Sequence, residues 1–109
     1  MELTFRTQVV DSCATVHVTG EIDMYTASEL REQLSALLSS GVTELTVDVG
    51  GVDFCDSTGL GVFIGILRRL REVNGSMKII AVRHQLMKIF QLTGLHKVFD
   101  ITPAEPSDG

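Results

Sequence analysis

The stretch Val52-Asp53-Phe54-Cys55-Asp56-Ser57-Thr58-Gly59-Leu60-Gly61 decides how the rest of this chain is read. A short apolar run ends in an acid, two hydroxyls and a glycine, and an apolar pattern at helical spacing begins at once. This predicts a strand giving way to a helix, with the Ser57 hydroxyl exposed at the junction. Free backbone N–H groups and the macrodipole converge at a helix start, so negative charge is best tolerated there. The plain alternative is that Asp56 or Ser57 is an N-cap and nothing more.

Downstream, the helix is expected from about Ser57 to Val73, with Asn74-Gly75 as its stop. Its first half is apolar nearly all round, from Leu60 to Leu67, and should be deeply packed. Leu60 and Val62 are equally readable as core or as interface. Gly59, Gly61 and Gly65 each cost about 1 kcal/mol of helix propensity relative to Ala, so something must compensate. Gly61 and Gly65 share a face that would let another element approach closely, and Gly59 would leave space around Ser57 for a large group or a partner backbone. Met77–Val82 reads as a strand covered on both faces, Leu86–Phe90 as a short helix stopped by Gly94, and Val98–Ile101 as a last strand.

Upstream, Glu44–Val49 is a short strand, and Val52–Cys55 is a strand end or an extended loop. Leu3–Val10 and Cys13–Thr19 alternate at period two and read as a hairpin turning at Asp11-Ser12. His17 falls on the more polar face and reads as structural. Gly20–Asp23 breaks the alternation and is expected to be a loop. Thr26-Ala27-Ser28-Glu29 has the form of a capping box, with Tyr25 and Leu30 as a hydrophobic staple. Leu30, Leu34, Leu37 and Leu38 then mark one helical face ending at Gly41.

After the hairpin, strands and helices alternate, which implies right-handed crossovers, parallel pairing and an α/β fold. Sites in such sheets lie beyond the carboxyl ends of the strands. Gly20–Asp23 and Asp56–Gly61 both lie there, so Glu21 and Asp23 should stand near Ser57.

The bulk numbers narrow the function. At 109 residues the chain is one domain, read as residues 1–102, with 103–109 as a flexible tail. A net charge of -5 argues against nucleic acid as a partner and favours a basic protein surface. Arg68, Arg69 and Arg71 cluster, but at a predicted helix end where they complement the dipole. Cys13 and Cys55 form no disulfide framework and read as buried free thiols. No metal-ligand spacing, secretory signal or membrane-length apolar run is present, so a cytoplasmic domain without metal or other cofactor is expected.

Catalysis by Ser57 fits poorly. A nucleophile elbow wants glycine on both sides, and Cys55 occupies the first of those positions. Asp56-Ser57-Thr58-Gly59 is a poor aspartic-protease motif in a helix-rich chain, and no lysine completes a phosphate-binding loop. Ser57 is better read as a substrate. A phosphate there would gain from the helix amides and would add about -1.5 to -2 charge among Glu21, Asp23 and Asp56. A docked acidic surface would then meet repulsion and lose bonds made by the free hydroxyl.

Gly20-Glu21-Ile22-Asp23 and Phe54-Cys55-Asp56-Ser57-Thr58-Gly59-Leu60-Gly61, in this order and spacing, resemble the STAS-domain anti-sigma factor antagonists. The resemblance runs from the first hairpin to about Ile101. It implies a STAS fold: a mixed, mainly parallel sheet of about four to five strands, with three to four helices mainly on one face. It also implies a partner switch and no enzymatic activity. The unmodified antagonist binds an anti-sigma factor, a histidine-kinase-like ATPase that is also its serine kinase, and so frees a sigma factor. Phosphorylation breaks the complex and a metal-dependent serine phosphatase resets it. Ser57 matches the phosphoacceptor; Glu21, Asp23, Asp56, Thr58, Gly59 and Leu60 are the implied partner contacts, with Thr58 as a secondary acceptor. The alternative is a scaffold subunit holding an ATPase, as in lipid-transport or stress-signalling complexes, without a phosphorylation cycle.

Overall fold

The computed structural model describes residues 2–104. Strands β1 (Leu3–Val10) and β2 (Cys13–Ile22) form the antiparallel hairpin, turning at Asp11, whose φ of 55° is the left-handed conformation a two-residue turn demands. Helix α1 (Ala27–Ser39), strand β3 (Glu44–Cys55), helix α2 (Ser57–Glu72), strand β4 (Ser76–Val82), helix α3 (His84–Thr93) and strand β5 (Asp100–Pro103) follow, with a 3-10 turn at Leu95–Lys97. The strands lie in the order β1-β2-β3-β4-β5, and every pairing after the hairpin is parallel.

One face of the sheet is buried. Val16, Val18, Val47, Val49 and Ile79 are at most 1% exposed and meet Leu30, Leu34, Phe63 and Leu70 from α1 and α2. Phe90 of α3 is fully buried and packs edge-on against Phe99, with ring centres 6.0 Å apart. The other face is partly solvated: Thr15, His17, Thr46 and Asp48 are half-buried on it. His17 stands there, its Nδ1 2.8 Å from Asp48 Oδ2, as expected of a structural histidine on a polar face. Lys78 is exposed and Ile80 half-buried, so β4 alternates and is covered on one side, against the expectation of two. The continuous apolar letters misled because the partly solvated face of a strand tolerates isoleucine.

Several boundaries shift. Gly20–Ile22 is not loop but the end of β2, with Glu21 facing Phe54 and Ile22 facing Cys55 across the ladder. Register shifts between His17 and Thr19 and between Gly20 and Glu21 absorb the break in alternation. Val52–Cys55 is true strand, the end of β3. The last strand begins two residues later than expected, because Leu95–Lys97 winds into a 3-10 turn. Pro103 still pairs with Val82, and Ala104 N–H donates to Val82 O at 2.9 Å, so residues 103 and 104 are held to β4 against the expectation of a tail from 103; the rest of that expected tail, residues 105–109, lies outside the described residues.

Candidate functional site at the carboxyl edge of the sheet

The site is assembled by one hydrogen bond. Asp56 N–H donates to Ile22 O at 3.1 Å, extending the β2–β3 ladder one step beyond the strands. The residues leaving β2 and those entering α2 are thereby held side by side, as the shared-edge argument required. Ser57 is the first residue of α2 and is exposed, as is Thr58.

Asp56 is the N-cap. Its backbone is extended, and its Oδ1 accepts from Thr58 N–H at 2.9 Å and Gly59 N–H at 3.3 Å. Two of the first-turn amides expected to serve a phosphate are therefore already engaged by a carboxylate. A phosphate on Ser57 would meet the Asp56 charge beside it instead of an empty anion cradle.

The β2–α1 connection is locked by a different device from the one expected. Thr26 precedes α1, but its hydroxyl caps no helix amide. It donates to Glu21 O at 2.8 Å and accepts from Asp23 N–H at 2.9 Å, at 5% exposure. Asp23 Oδ1 takes the capping role, accepting from Tyr25 N–H at 2.9 Å and Thr26 N–H at 3.0 Å. Burial pushes the Asp23 carboxyl up, and the bonds from Thr26 and Tyr25 outweigh it, leaving it below the usual carboxylate range. The capping box is thus corrected to an Asp-centred turn. The staple is corrected too: Leu30 is fully buried while Tyr25 is 83% exposed.

Gly59 and Leu60 are buried, so Leu60 is core, as is Val62. Gly59 leaves no space for an outside group. A Cβ there would come within 2.7 Å of Cys55 Sγ and overlap the Ile22 side chain. This glycine lets α2 start hard against β2 and β3, so its contribution to the site is internal. Glu21, Asp23 and Asp56 are half-buried and, with Ser57 and Thr58, make up the accessible part of the predicted set.

Gly61 and Gly65 reverse the other expectation. Nothing lies within 4 Å of a Cβ built at either, and both are exposed along a shallow groove between α1 and α2. Cys55 lies under the site, its thiol pushed up to about 12 by burial and then by the Asp56 charge. Cys13, expected to be buried, is exposed at the start of β2 and donates to Glu44 Oε2 at 3.3 Å. Among the described residues, no group of three or more His, Cys, Asp or Glu could hold a metal ion, and no helix is long and apolar enough to cross a membrane.

Sequence reasoning overlooked Met24 and Phe54, which are 68% and 51% exposed beside this edge. A readable signal existed for this turn: an Asp two residues before an amide is placed to accept from it, as Asp23 does from Tyr25 N–H, and such turns sit at the surface.

A parallel sheet with an antiparallel leading strand, helices on one face and a serine-bearing helix start beside a β2 extension define a STAS-type domain. The family model described as "Mlab, STAS domain" matches residues 5–103, and the chain belongs to that family. Its relatives include the anti-sigma-B factor antagonists of Bacillus subtilis (39% identical over 87 residues, covering 80% of this chain and 79% of the relative) and Staphylococcus aureus (34% over 101 residues, 93% and 94%). Among solved structures, an anti-sigma factor antagonist from Mycobacterium paratuberculosis superposes with a TM-score of 0.84 at 29% identity, covering 95% of this chain and 88% of that one.

Proposed function

We propose that this chain is an anti-sigma factor antagonist acting in the cytoplasm, a binding protein rather than an enzyme, whose regulatory domain takes in the whole sheet through Pro103. The unmodified form binds an anti-sigma factor of histidine-kinase-like fold and so releases a sigma factor. The observation that carries this reading is the exposed Ser57 at the first position of α2, with the Asp56 N–H to Ile22 O bond holding the β2–α1 turn beside it. The relatives bearing the antagonist name support it along most of the chain.

The modification is a phosphoryl transfer. The γ-phosphorus of kinase-bound ATP forms a bond to Ser57 Oγ, its bond to the β-bridging oxygen breaks, ADP leaves, and the hydroxyl proton passes to a base on the kinase. The resulting phosphoserine stands beside the Asp56 carboxylate, whose bonds to Thr58 and Gly59 N–H it cannot share without displacement. Its charge must also be stripped of water if the partner is to dock again. Glu21, Asp23, Asp56 and Thr58 are the proposed contacts around Ser57, with Gly59 and Leu60 shaping the site from below. A metal-dependent serine phosphatase restores the free hydroxyl.

Incubation with the anti-sigma kinase and ATP should label wild type and not Ser57→Ala. Ser57→Ala should still bind the kinase, and Ser57→Asp should bind more weakly. Label retained by Ser57→Ala would move the acceptor elsewhere, Thr58 first. Recovery of a transporter ATPase with unmodified Ser57 under every growth condition would replace the switch with the scaffold reading.

A further inference from the structure

Eight large apolar side chains are exposed among the described residues, and three of them, Met24 (68%), Tyr25 (83%) and Phe54 (51%), stand on the two segments that frame Ser57. Their placement follows from the ladder. Glu21 pairs with Phe54 and Ile22 with Cys55, so the turn carrying Met24 and Tyr25 leaves β2 next to the strand end carrying Phe54. The Asp23 carboxylate fixes that turn by accepting from Tyr25 and Thr26 N–H. An aromatic side chain held outward on a fixed backbone contributes little to folding and pays little entropy on docking.

Phe54 also stands over a cavity of about 310 Å³ between the end of β3 and the first turns of α3, with Leu86 and Ile89 among its lining residues. The cavity exists because β3 and β4 part company: their ladder ends at Asp48–Ile80, while β3 runs on to Cys55 beside β2. At its rim Arg83 Nη1 lies 3.2 Å from Asp53 Oδ1, both side chains more than half exposed. Around the apolar positions stand Glu21, Asp23, Asp53 and Asp56, in a chain of net charge -5.

We propose that Met24, Tyr25 and Phe54 form the apolar contact by which this chain grips the anti-sigma kinase, and that the kinase presents an apolar patch with basic side chains at its rim. The patch enters the cavity beside Phe54, and the basic rim faces Glu21, Asp23 and Asp56, Asp53 being paired with Arg83. The proposal rests on the functional reading above and adds the surface that carries the affinity. It also accounts for the direction of the switch. A phosphate set among apolar anchors cannot keep its water when the surfaces close, so phosphorylation at Ser57 opposes docking even though the partner's rim is basic.

The test uses the purified anti-sigma kinase of the source organism, with titration calorimetry and steady-state phosphorylation of the full chain. Tyr25→Ala and Phe54→Ala should each weaken binding at least tenfold and raise KM for Ser57 phosphorylation at unchanged kcat, as loss of uniform binding does. Leu92→Ala removes an apolar side chain that is 88% exposed on α3 outside this edge, and it should bind within twofold of wild type. Thermal melts of Tyr25→Ala and Leu92→Ala should match wild type, since those side chains are 83% and 88% exposed, while Phe54→Ala, which removes a ring only 51% exposed, should stay folded and melt slightly lower. Wild-type affinity in both aromatic variants, with wild type itself binding, would overturn the apolar contact and leave the functional reading standing. So would concentration-dependent dimerisation of the free chain abolished by Tyr25→Ala, which would assign the surface to a second copy. A kinase that neither binds nor phosphorylates wild type would overturn the functional reading and this proposal with it.

Discussion

Gly59 shows how much of the site depends on a single missing atom. Helix propensity alone says that alanine in the first turn of α2 should be better by up to about 1 kcal/mol. The structure reverses the sign, because a methyl group would collide with Ile22 and press on Cys55 Sγ at 2.7 Å. Gly59→Ala is expected to destabilise by about 1–3 kcal/mol, as overpacking does, and to slow Ser57 phosphorylation because the start of α2 must move. Urea denaturation together with the labelling rate checks both parts. Sequence reading recognised this glycine as special and assigned the reason to the wrong side: it looked for room outside the helix, and the constraint lies inside.

At the scale of elements, the turn before α1 and the exposed stripe of α2 give opposite results to what their sequence motifs suggest. Thr26→Val keeps the volume and removes the hydroxyl that donates to Glu21 O and accepts from Asp23 N–H. Leaving those groups unpaired in a buried turn should cost about 1–3 kcal/mol, read as a lowered denaturation midpoint. Glu29→Ala should change stability by less than about 0.5 kcal/mol, since Glu29 completes no capping box and surface substitutions away from such features are mild. A large loss in Glu29→Ala would restore the capping-box account. On α2, Gly61→Ala and Gly65→Ala face open space at both positions. Each should stabilise by about 1 kcal/mol and raise the melting temperature, the reverse of Gly59→Ala.

For the whole molecule, Asp23 and Cys55 each contribute to the pH dependence of stability, at opposite ends of the range. Asp23 is held below its ordinary value of 3.8 in the fold, so on acidification the unfolded chain takes up a proton first. The stability it contributes is present above that ordinary value and is lost as pH falls through the folded one. Asp23→Asn should flatten the acid limb of the stability curve. Cys55 works at the alkaline end. Its thiol is pushed from an ordinary 9.0 up to about 12, so the unfolded chain ionises first and stability should fall as pH rises between those values. Cys55→Ala should weaken that alkaline decline even if it lowers stability at neutral pH, which denaturant titrations from pH 8 to 11 would show.

The amino-acid sequence by itself determined the element order, the parallel crossovers, the leading hairpin and the meeting of two carboxyl-end segments at Ser57. Those follow from apolar period, turn residues and chain connectivity, which are local or topological properties. Only the tertiary structure decided which carboxylate caps which amides, that Thr26 ties a turn instead of a helix, that Gly59 is crowded while Gly61 and Gly65 are open, and that Tyr25 points outward. Each of those depends on which atoms a neighbouring strand or helix brings within a few ångströms, and no residue's own type or spacing carries that distance.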